Sequence, residues 1–239
     1  MLEKPDLEDL LLINCLLHNY SLHVTQLHFL ALGADFNAAV YRAQTDDGSE
    51  YFVKLRSGAF NASSLSLPRF LHEHGAAYLI APLLTQSGRA WTQLQDFVMI
   101  VYPFVKGQNA YHVDLSMRQW GEFGTALKQL HTAHIPPALT QPLPQEGYDP
   151  KWTLLLQDII SGLDQVQLPD QIAVDLAAFL ETQRIQILAM IERTEVLAQA
   201  LQAQPPDFVV CHTDAHAGNL LIDEGGHVYI CLLYTSDAA

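Results

Sequence analysis

A polar loop near the end of the chain combines residue types that can transfer a phosphoryl group. The segment 212–219, HTDAHAGN, lies between the apolar segments 208–210 and 220–222. We expect two short strands to bracket the loop and to hold Asp214 and Asn219 on one side of a cleft. A carboxylate placed there can orient a hydroxyl and accept its proton, while an amide carbonyl can ligate Mg²⁺. Both tasks are typical of phosphoryl transfer.

The spacing of this loop, H-x-D-x-x-x-x-N, matches the catalytic loop of protein kinases, in which the aspartate is the base and the asparagine binds metal. We therefore predict that Asp214 and His212 are catalytic and that Asn219 is a metal ligand. His216 is interpreted as an organiser of the loop. Two alternatives stay open at this point. One is a metal-hydrolase cluster, although no second His/Asp cluster supplies its further ligands. The other is a purely structural loop.

The elements that must position this loop begin with strands near the N-terminus. The segment 27–55 alternates apolar and polar residues around the turn Asp46-Asp47-Gly48, which predicts a small antiparallel sheet. Lys54 falls at the end of its third strand, in YFVKL, where a kinase places the lysine that neutralises the α- and β-phosphates. The turn between the first two strands, with Gly33, Asp35 and Asn37, is predicted to cover the phosphates with its backbone amides.

An apolar run at 97–105 predicts a strand that ends in a hinge for adenine, with Tyr102 and Phe104 as cofactor-binding residues. The segment 78–84, YLIAPLL, predicts another strand, and a short helix is expected from Ser66 to His74. Protein kinases pair the strand lysine with a glutamate on this helix, but the first acid after Lys54 is Glu73, late on the helix. Whether Glu73 pairs with Lys54 is left open.

Helical spacing appears in the second half of the chain. Trp120, Phe123, Leu127 and Leu130 recur at that spacing, and so do Leu176, Leu180, Ile187 and Ile191. The order of elements predicts an α+β, bilobal, protein-kinase-like fold, with an antiparallel sheet lobe followed by a mainly helical lobe that is incomplete. We place the nucleotide-binding lobe at 1–101, the hinge and partial helical lobe at 102–230, and a non-native tail at 231–239.

Composition limits the partners. The 239 residues carry a formal net charge of −14 with 49% hydrophobic content, which indicates a buried core and argues against a nucleic-acid partner. A cationic small molecule suits this charge. Three isolated cysteines and an acidic N-terminus favour the cytoplasm, and no apolar run is long enough to span a membrane. We expect a monomer.

The loop variant with HAGN resembles the aminoglycoside phosphotransferase and choline kinase superfamily. The phrases GADFNAAVYRA, YFVKLRSG, YPFV, YDPKW and VCHTDAHAGNLLI look like its spectinomycin phosphotransferase branch, up to about Ile230. The resemblance implies ATP- and Mg²⁺-dependent O-phosphorylation of a cyclitol antibiotic, with Asp214 as base, Lys54 on phosphate and Asn219 on magnesium. A kinase of choline, homoserine or an amino sugar is the alternative, as is a catalytically dead nucleotide-binding protein.

The tail departs from that family. After the hairpin at 219–230 the family has a metal-binding aspartate, which the resemblance implies at or beside residue 232, where Cys231, Leu232 and Leu233 stand. The last nine residues, CLLYTSDAA, resemble a translated adapter from a sequencing library. We therefore expect that the chain as written transfers no phosphate, that the complete gene product is the enzyme, and that apolar helix faces are exposed.

Overall fold

The computed structural model describes residues 3–32, 37–58, 60–163 and 169–230. They form two compact units, one within Met1–Leu143 and Val209–Ala239 and the other within Pro144–Phe208. The predicted phosphate-turn residues Gly33 and Asp35 and the segment 231–239 lie outside the described residues.

The first unit contains the predicted antiparallel sheet. Helix α1, Asp9–Tyr20, precedes three strands, β1 (Val24–Leu30), β2 (Ala38–Thr45) and β3 (Glu50–Ser57). With β4 (Thr92–Leu94) and β5 (Phe97–Pro103) they form a sheet of order β1-β2-β3-β5-β4. The turn before β3 is fixed by the Asp47 carboxylate, which accepts hydrogen bonds from Thr45 Oγ1 and Ser49 N, while Gly48 takes a left-handed φ of 82°.

The two faces of this sheet are packed differently because successive side chains of a strand alternate between faces. Helix α1 covers one face, where its apolar side chains meet those of the odd-numbered positions of the inner strands, such as Tyr41, Val53 and Val101. The opposite face carries Lys54 and a second apolar cluster. That cluster joins Val98, Ile100 and Tyr102 to Leu65 of helix α2, Ser63–Glu73.

The segment 78–84 was predicted as a strand, and this prediction is wrong. Its contacts with strands are an isolated parallel bridge from Leu79 to Ile230, with Ile230 N donating to the Tyr78 carbonyl, and a hydrogen bond from Leu83 N to the Val101 carbonyl. Pro82, between these two contacts, has no N–H group to donate, which disfavours a continuous ladder. The edge of the sheet is formed instead by the short strand β4, and α2 begins three residues earlier than expected.

A second, three-stranded sheet lies in the same unit, with order β6-β7-β8. Its strands are β6 (Gly107–Asn109), β7 (Leu220–Asp223) and β8 (Val228–Ile230). Helix α3, Met117–Thr132, confirms the helical spacing around Trp120 and packs Ala126 and Leu130 against Leu220 and Ile230. The short helix α4, Pro137–Thr140, follows.

The predicted strand at 208–210 is absent, so the loop is bracketed by a strand on one side only. Both edges of β7 are already occupied, by β6 and by β8, and Phe208 and Val209 are exposed. An upstream strand therefore cannot pair directly with β7.

The second unit consists of two helices, α5 (Lys151–Gly162) and α6 (Gln171–Ala203). The long helix confirms the spacing of Leu176 to Ile191, and Asp170 caps its N-terminus by accepting from Ala173 N at 2.8 Å. Gln157 Nε2 donates to Glu195 Oε1 at 3.0 Å across the pair. Large apolar side chains on both helices are exposed, among them Trp152, Phe179 and Ile185. Within the described ranges, no helix is long and apolar enough to cross a membrane.

Candidate active site

The predicted catalytic loop ends in a single 3₁₀ turn, Ala217–Asn219, that runs directly into β7. His216 caps this turn: its Nδ1 accepts the backbone N–H of Gly218 at 3.0 Å, and its carbonyl accepts the N–H of Asn219 at 2.9 Å. The cap ties the loop to the first residue of a strand that is paired on both sides. This places Asn219 at a fixed position beside the sheet.

Asp214 and Asn219, which the sequence predicted to act together, are in direct contact. Asn219 Nδ2 donates to the Asp214 carbonyl at 2.8 Å and to Asp214 Oδ2 at 2.8 Å, and the Asn219 side chain is only 7% exposed. Because the two polar atoms of a planar amide diverge, Asn219 Oδ1 is directed away from the carboxylate. The pair presents an oriented carboxylate next to an amide oxygen.

The two histidines of the loop contact different parts of Asp214. His212 is buried, and its Nδ1 accepts the Asp214 N–H at 3.3 Å, which fixes the backbone of the aspartate. His216 Nε2 lies 3.5 Å from Asp214 Oδ1. In the described geometry His212 thus acts on the backbone of Asp214 and His216 faces its carboxylate. The interpretation of His216 as a loop organiser agrees with its capping contacts.

Lys54 lies in the middle of the five-stranded sheet, paired with Val40 on one side and Ile100 on the other, and is 6% exposed. A lysine buried in this way is not an ordinary solvated edge residue, because a buried ammonium is costly unless polar or anionic groups compensate it. Asn37, the described member of the predicted phosphate turn, accepts the Ser57 N–H at its carbonyl at 2.9 Å. The last residue of the predicted turn therefore lies beside the end of β3, the strand that carries Lys54.

Successive residues of the predicted hinge direct their backbone N–H and C=O groups alternately toward β3 and away from it. Phe104 N donates to the Glu50 carbonyl at 3.1 Å, and Tyr102 pairs with Phe52, so the backbones of both predicted residues face β3. By the alternation of an antiparallel ladder, the carbonyl of Pro103 and the N–H of Val105 face the other way. The side chain of Phe104 is covered by Arg42, whose guanidinium lies 4.7 Å from the ring centre.

Glu73 has a partner on its own helix. Its Oε1 accepts from Arg69 Nε at 2.6 Å, four residues earlier, and both side chains are partly exposed. The sequence had shown that the first acid after Lys54 comes late on α2. In the structure this acid, Glu73, forms an ion pair within α2.

The metal-hydrolase alternative predicts a cluster of His, Asp and Glu side chains around one point. In the described part of the chain, no group of three or more His, Cys, Asp or Glu residues is placed to hold a metal ion. The kinase alternative needs no such cluster, because phosphate oxygens and waters commonly supply most ligands of Mg²⁺.

Comparison with known proteins decides between these alternatives. The sequence profile of the phosphotransferase enzyme family (APH) matches residues 28–230 of the chain. The chain belongs to this family. No curated protein sequence matches it significantly.

Solved structures agree with the family. A spectinomycin phosphotransferase, APH(9)-Ia, in complex with ADP and spectinomycin is 29% identical with a TM-score of 0.83, over 97% of this chain and 70% of that one. An aminoglycoside phosphotransferase from Alicyclobacillus acidocaldarius is 16% identical with a TM-score of 0.63, over 97% and 67%. A choline kinase from Streptococcus pneumoniae is 13% identical with a TM-score of 0.52, over 94% and 68%. The last two show likeness of fold alone, and together the three confirm the kinase-like α+β fold.

The donor atoms of the phosphotransferase loop suit Mg²⁺. This ion takes oxygen ligands and commonly uses one or two protein groups together with phosphate oxygens and waters. Asn219 Oδ1 is an oxygen donor directed away from the groups that hold its amide nitrogen. The predicted second metal ligand belongs to the segment after Ile230, outside the described residues.

Two features around β6 were not predicted from the sequence. A cavity of about 400 Å³ adjoins the β6–β7 pair and is lined by Gly107, Gln108, His112, Val113, Ile222, Asp223 and Glu224. The second feature is Tyr111, whose hydroxyl lies 3.1 Å from His216 Nδ1. Neither belongs to a recognisable motif, because both depend on the pairing of β6 with a strand more than a hundred residues later.

Proposed function

We propose that this phosphotransferase moves the γ-phosphoryl group of ATP to a hydroxyl of a small aminocyclitol or aminoglycoside-type antibiotic such as spectinomycin. The observation that carries the proposal is the Asp214 carboxylate, held at Oδ2 by Asn219 in a loop of the family's pattern. The ADP and spectinomycin bound to the 29% identical relative support the substrate pair. The net charge of −14 also suits a cationic antibiotic.

In this proposal Asp214 is the base. Its Oδ2 is engaged by Asn219, so Oδ1 is the oxygen that orients the acceptor hydroxyl and takes its proton. The hydroxyl oxygen forms a bond to the γ-phosphorus as the bond from that phosphorus to the ADP oxygen breaks. His212 keeps the backbone of Asp214 in place through the 3.3 Å hydrogen bond.

The sheet supplies the nucleotide contacts, and we assign residues 1–101 to the nucleotide-binding lobe and 102–230 to the hinge and partial helical lobe. Lys54 neutralises phosphate charge, and the turn with Gly33, Asp35 and Asn37 covers the phosphates. At the hinge of Tyr102 and Phe104, the backbone groups turned away from β3 are the Pro103 carbonyl and the Val105 N–H, which we assign to adenine.

Asn219 Oδ1 would hold Mg²⁺. When bound, the ion neutralises charge that develops on the phosphoryl oxygens. The protein's own part is to keep Oδ1 available, and it does so by engaging the amide nitrogen twice with Asp214.

The test has two parts. Calorimetric titration of the 239-residue chain with ATP and Mg²⁺ measures nucleotide binding, with Lys54→Met as the variant expected to weaken it. Phosphate transfer to spectinomycin is followed by mass spectrometry in a chimera whose residues 231–239 are replaced by the segment after the corresponding hairpin of the spectinomycin phosphotransferase. Absence of nucleotide binding would overturn the proposal. Transfer to choline or an amino sugar in preference to spectinomycin would replace its acceptor.

A further inference from the structure

We propose that Tyr111 is a positioning residue for Asp214 and that it acts through the ring of His216. The inference rests on the proposed function, because it assigns a role in orienting the base of that reaction. Tyr111 lies just after β6, and its hydroxyl is 3.1 Å from His216 Nδ1. His216 Nε2, on the far side of the same ring, is 3.5 Å from Asp214 Oδ1.

The backbone next to Tyr111 is hydrogen-bonded to the loop that contains His216. Ala110 N lies 3.1 Å from the carbonyl of Ala217, the first residue of the 3₁₀ turn, and 3.0 Å from that of Leu220, which directly follows the turn. Tyr111 N donates to Asn109 Oδ1 at 3.1 Å. The tyrosine is therefore anchored to the turn capped by His216, although its side chain is 66% exposed. These backbone contacts fix the position of Tyr111, so its hydroxyl can orient the His216 ring.

The contacts of His216 determine which ring nitrogen carries the proton. Gly218 N–H can only donate, and it points at Nδ1 from 3.0 Å, so Nδ1 must accept. The Tyr111 hydroxyl donates to the same nitrogen, which reinforces this choice. In a neutral imidazole the proton then lies on Nε2, which is 3.5 Å from Asp214 Oδ1 and 3.3 Å from Asn219 Nδ2. Because Asn219 Nδ2 donates its hydrogens to the Asp214 carbonyl and Oδ2, the Asp214 carboxylate is the acceptor next to Nε2.

The two oxygens of Asp214 are consequently held by different groups. Asn219 donates to Oδ2 at 2.8 Å, and His216 faces Oδ1 over a longer distance. The longer contact orients Oδ1 and leaves it accessible to an acceptor hydroxyl. Rotation of the His216 ring would remove this restraint on the carboxylate, and the Tyr111 hydroxyl opposes such rotation.

Gly218 provides a second, independent sign of the same arrangement. A Cβ atom at this position would lie 2.7 Å from His216 Cε1 and 2.7 Å from Tyr111 Cε2. Such contacts are too short for carbon atoms. A larger residue at this position would therefore displace at least one of the two rings, whose centres are 5.9 Å apart.

The experiment that tests the proposal is long-range ¹H–¹⁵N NMR of the histidine rings in the 239-residue chain, with the His216 signals assigned by their loss in His216→Gln. We expect the Nε2–H tautomer. In Tyr111→Phe the Nδ1 resonance is expected to move toward the value of a nitrogen with fewer hydrogen bonds, with the melting temperature unchanged. Tyr229→Phe, which removes a hydroxyl from β8, is the matched control and should leave the resonance in place.

Kinetics of the chimera supply the second measurement. Tyr111→Phe is expected to lower kcat about tenfold with the KM for ATP unchanged, because one hydrogen bond of about 1.4 kcal/mol corresponds to a factor of ten. His216→Gln, which keeps an N–H donor, should retain more activity than His216→Leu. An Nδ1–H tautomer, or an Nδ1 resonance unmoved by Tyr111→Phe, overturns the inference. The NMR result is independent of whether the chain phosphorylates an antibiotic, so failure of the proposed function is recognised separately.

Discussion

The two sheets of the first unit hold their functional groups in different ways. In the five-stranded sheet, Lys54 is fixed by backbone pairing on both sides, and both faces of the sheet carry apolar clusters. In the three-stranded sheet, β6 and β8 have three residues each, and the groups of interest lie on the preceding loop. They are held by a few hydrogen bonds of side chains, among them those of His212, His216 and Asn219.

This difference predicts where each region is vulnerable. A backbone ladder does not depend on the identity of any one side chain, so substitutions in the first sheet should act mainly through the group that they remove. In the loop, a single side chain holds a neighbour in place, and its loss leaves buried polar atoms without their partners, which costs more than the bond itself contributes. Substitutions in the loop should therefore change the position of the neighbouring side chains as well as remove a chemical group.

The largest effect is expected from Asp214→Asn, which keeps the shape of the side chain and removes the base. Phosphate transfer in the chimera should fall by about 10²–10⁴-fold, the range for loss of general base catalysis. Nucleotide affinity, measured by titration calorimetry, should stay within about threefold, which corresponds to less than 1 kcal/mol. A parallel loss of nucleotide binding would show that the loop also supports the nucleotide site, and the proposed separation between the two sheets would fail.

The second effect is that of Lys54→Met, which keeps an unbranched side chain on β3 and removes the charge. We expect the Kd for ATP to rise about 10–100-fold, because charge-assisted hydrogen bonds contribute about 1.5–3 kcal/mol. Lys128→Met, at an exposed position of α3, removes the same charge and is the control. If both variants weaken binding equally, the effect is one of net charge and Lys54 has no special role.

The third prediction concerns the support of the hairpin formed by β7 and β8. Gln119, buried at the start of α3, accepts from Ser116 at Oε1 and donates through Nε2 to the Gly226 carbonyl at 3.1 Å, in the turn between β7 and β8. Gln119→Met should destabilise the chain by about 1–3 kcal/mol in urea unfolding. Amide hydrogen exchange of 220–230 should be faster in this variant.

The exposed Gln129 of the same helix provides the matched control for Gln119. Its replacement by Met should change the free energy of unfolding by less than about 0.5 kcal/mol. If Gln119→Met leaves the exchange of 220–230 unchanged, the hairpin is held by its strands alone, as in the larger sheet.

The same difference explains how much was predictable from the sequence. Strands β1, β2, β3 and β5 and helices α3 and α6 followed from periodicity, and the position of Lys54 followed from its strand. The contact between Asp214 and Asn219 was expected because their spacing is local. Pairing of β6 with β7 brings Tyr111 to His216 across 105 positions, and no local pattern encodes such a contact.

Two strands were predicted wrongly, at 78–84 and at 208–210. Both segments are apolar, and apolar runs of this length do not by themselves show whether a ladder has room for another strand. In the first, Pro82 disfavours a continuous ladder, and this residue was visible in the sequence. In the second, β7 already has two neighbours, and this could be learned only from the topology.

The smallest effect is expected at Glu50, where the five-stranded sheet does use side chains. Arg42 donates to Glu50 Oε1 at 2.5 Å, and Lys106 Nζ lies 3.2 Å from Glu50 Oε2. These contacts hold the pKa of Glu50 below its ordinary value, and the hydrogen bond from Arg42 is the largest cause. A carboxylate with a lowered folded pKa stabilises the fold above its unfolded pKa, and this stabilisation is lost as pH falls through the folded pKa.

Glu50→Gln should therefore lower the Tm by about 1–3 °C at pH 7, and the difference should shrink as the pH falls below about 4.3, the ordinary pKa of glutamate. Lys106→Gln, which removes the more distant partner, should have a smaller effect. Calorimetric melts of the three proteins between pH 3 and 7 measure this. A loss as large as that of Gln119→Met would mean that a side-chain ion pair, and not the backbone ladder, secures the strand on which Lys54 lies.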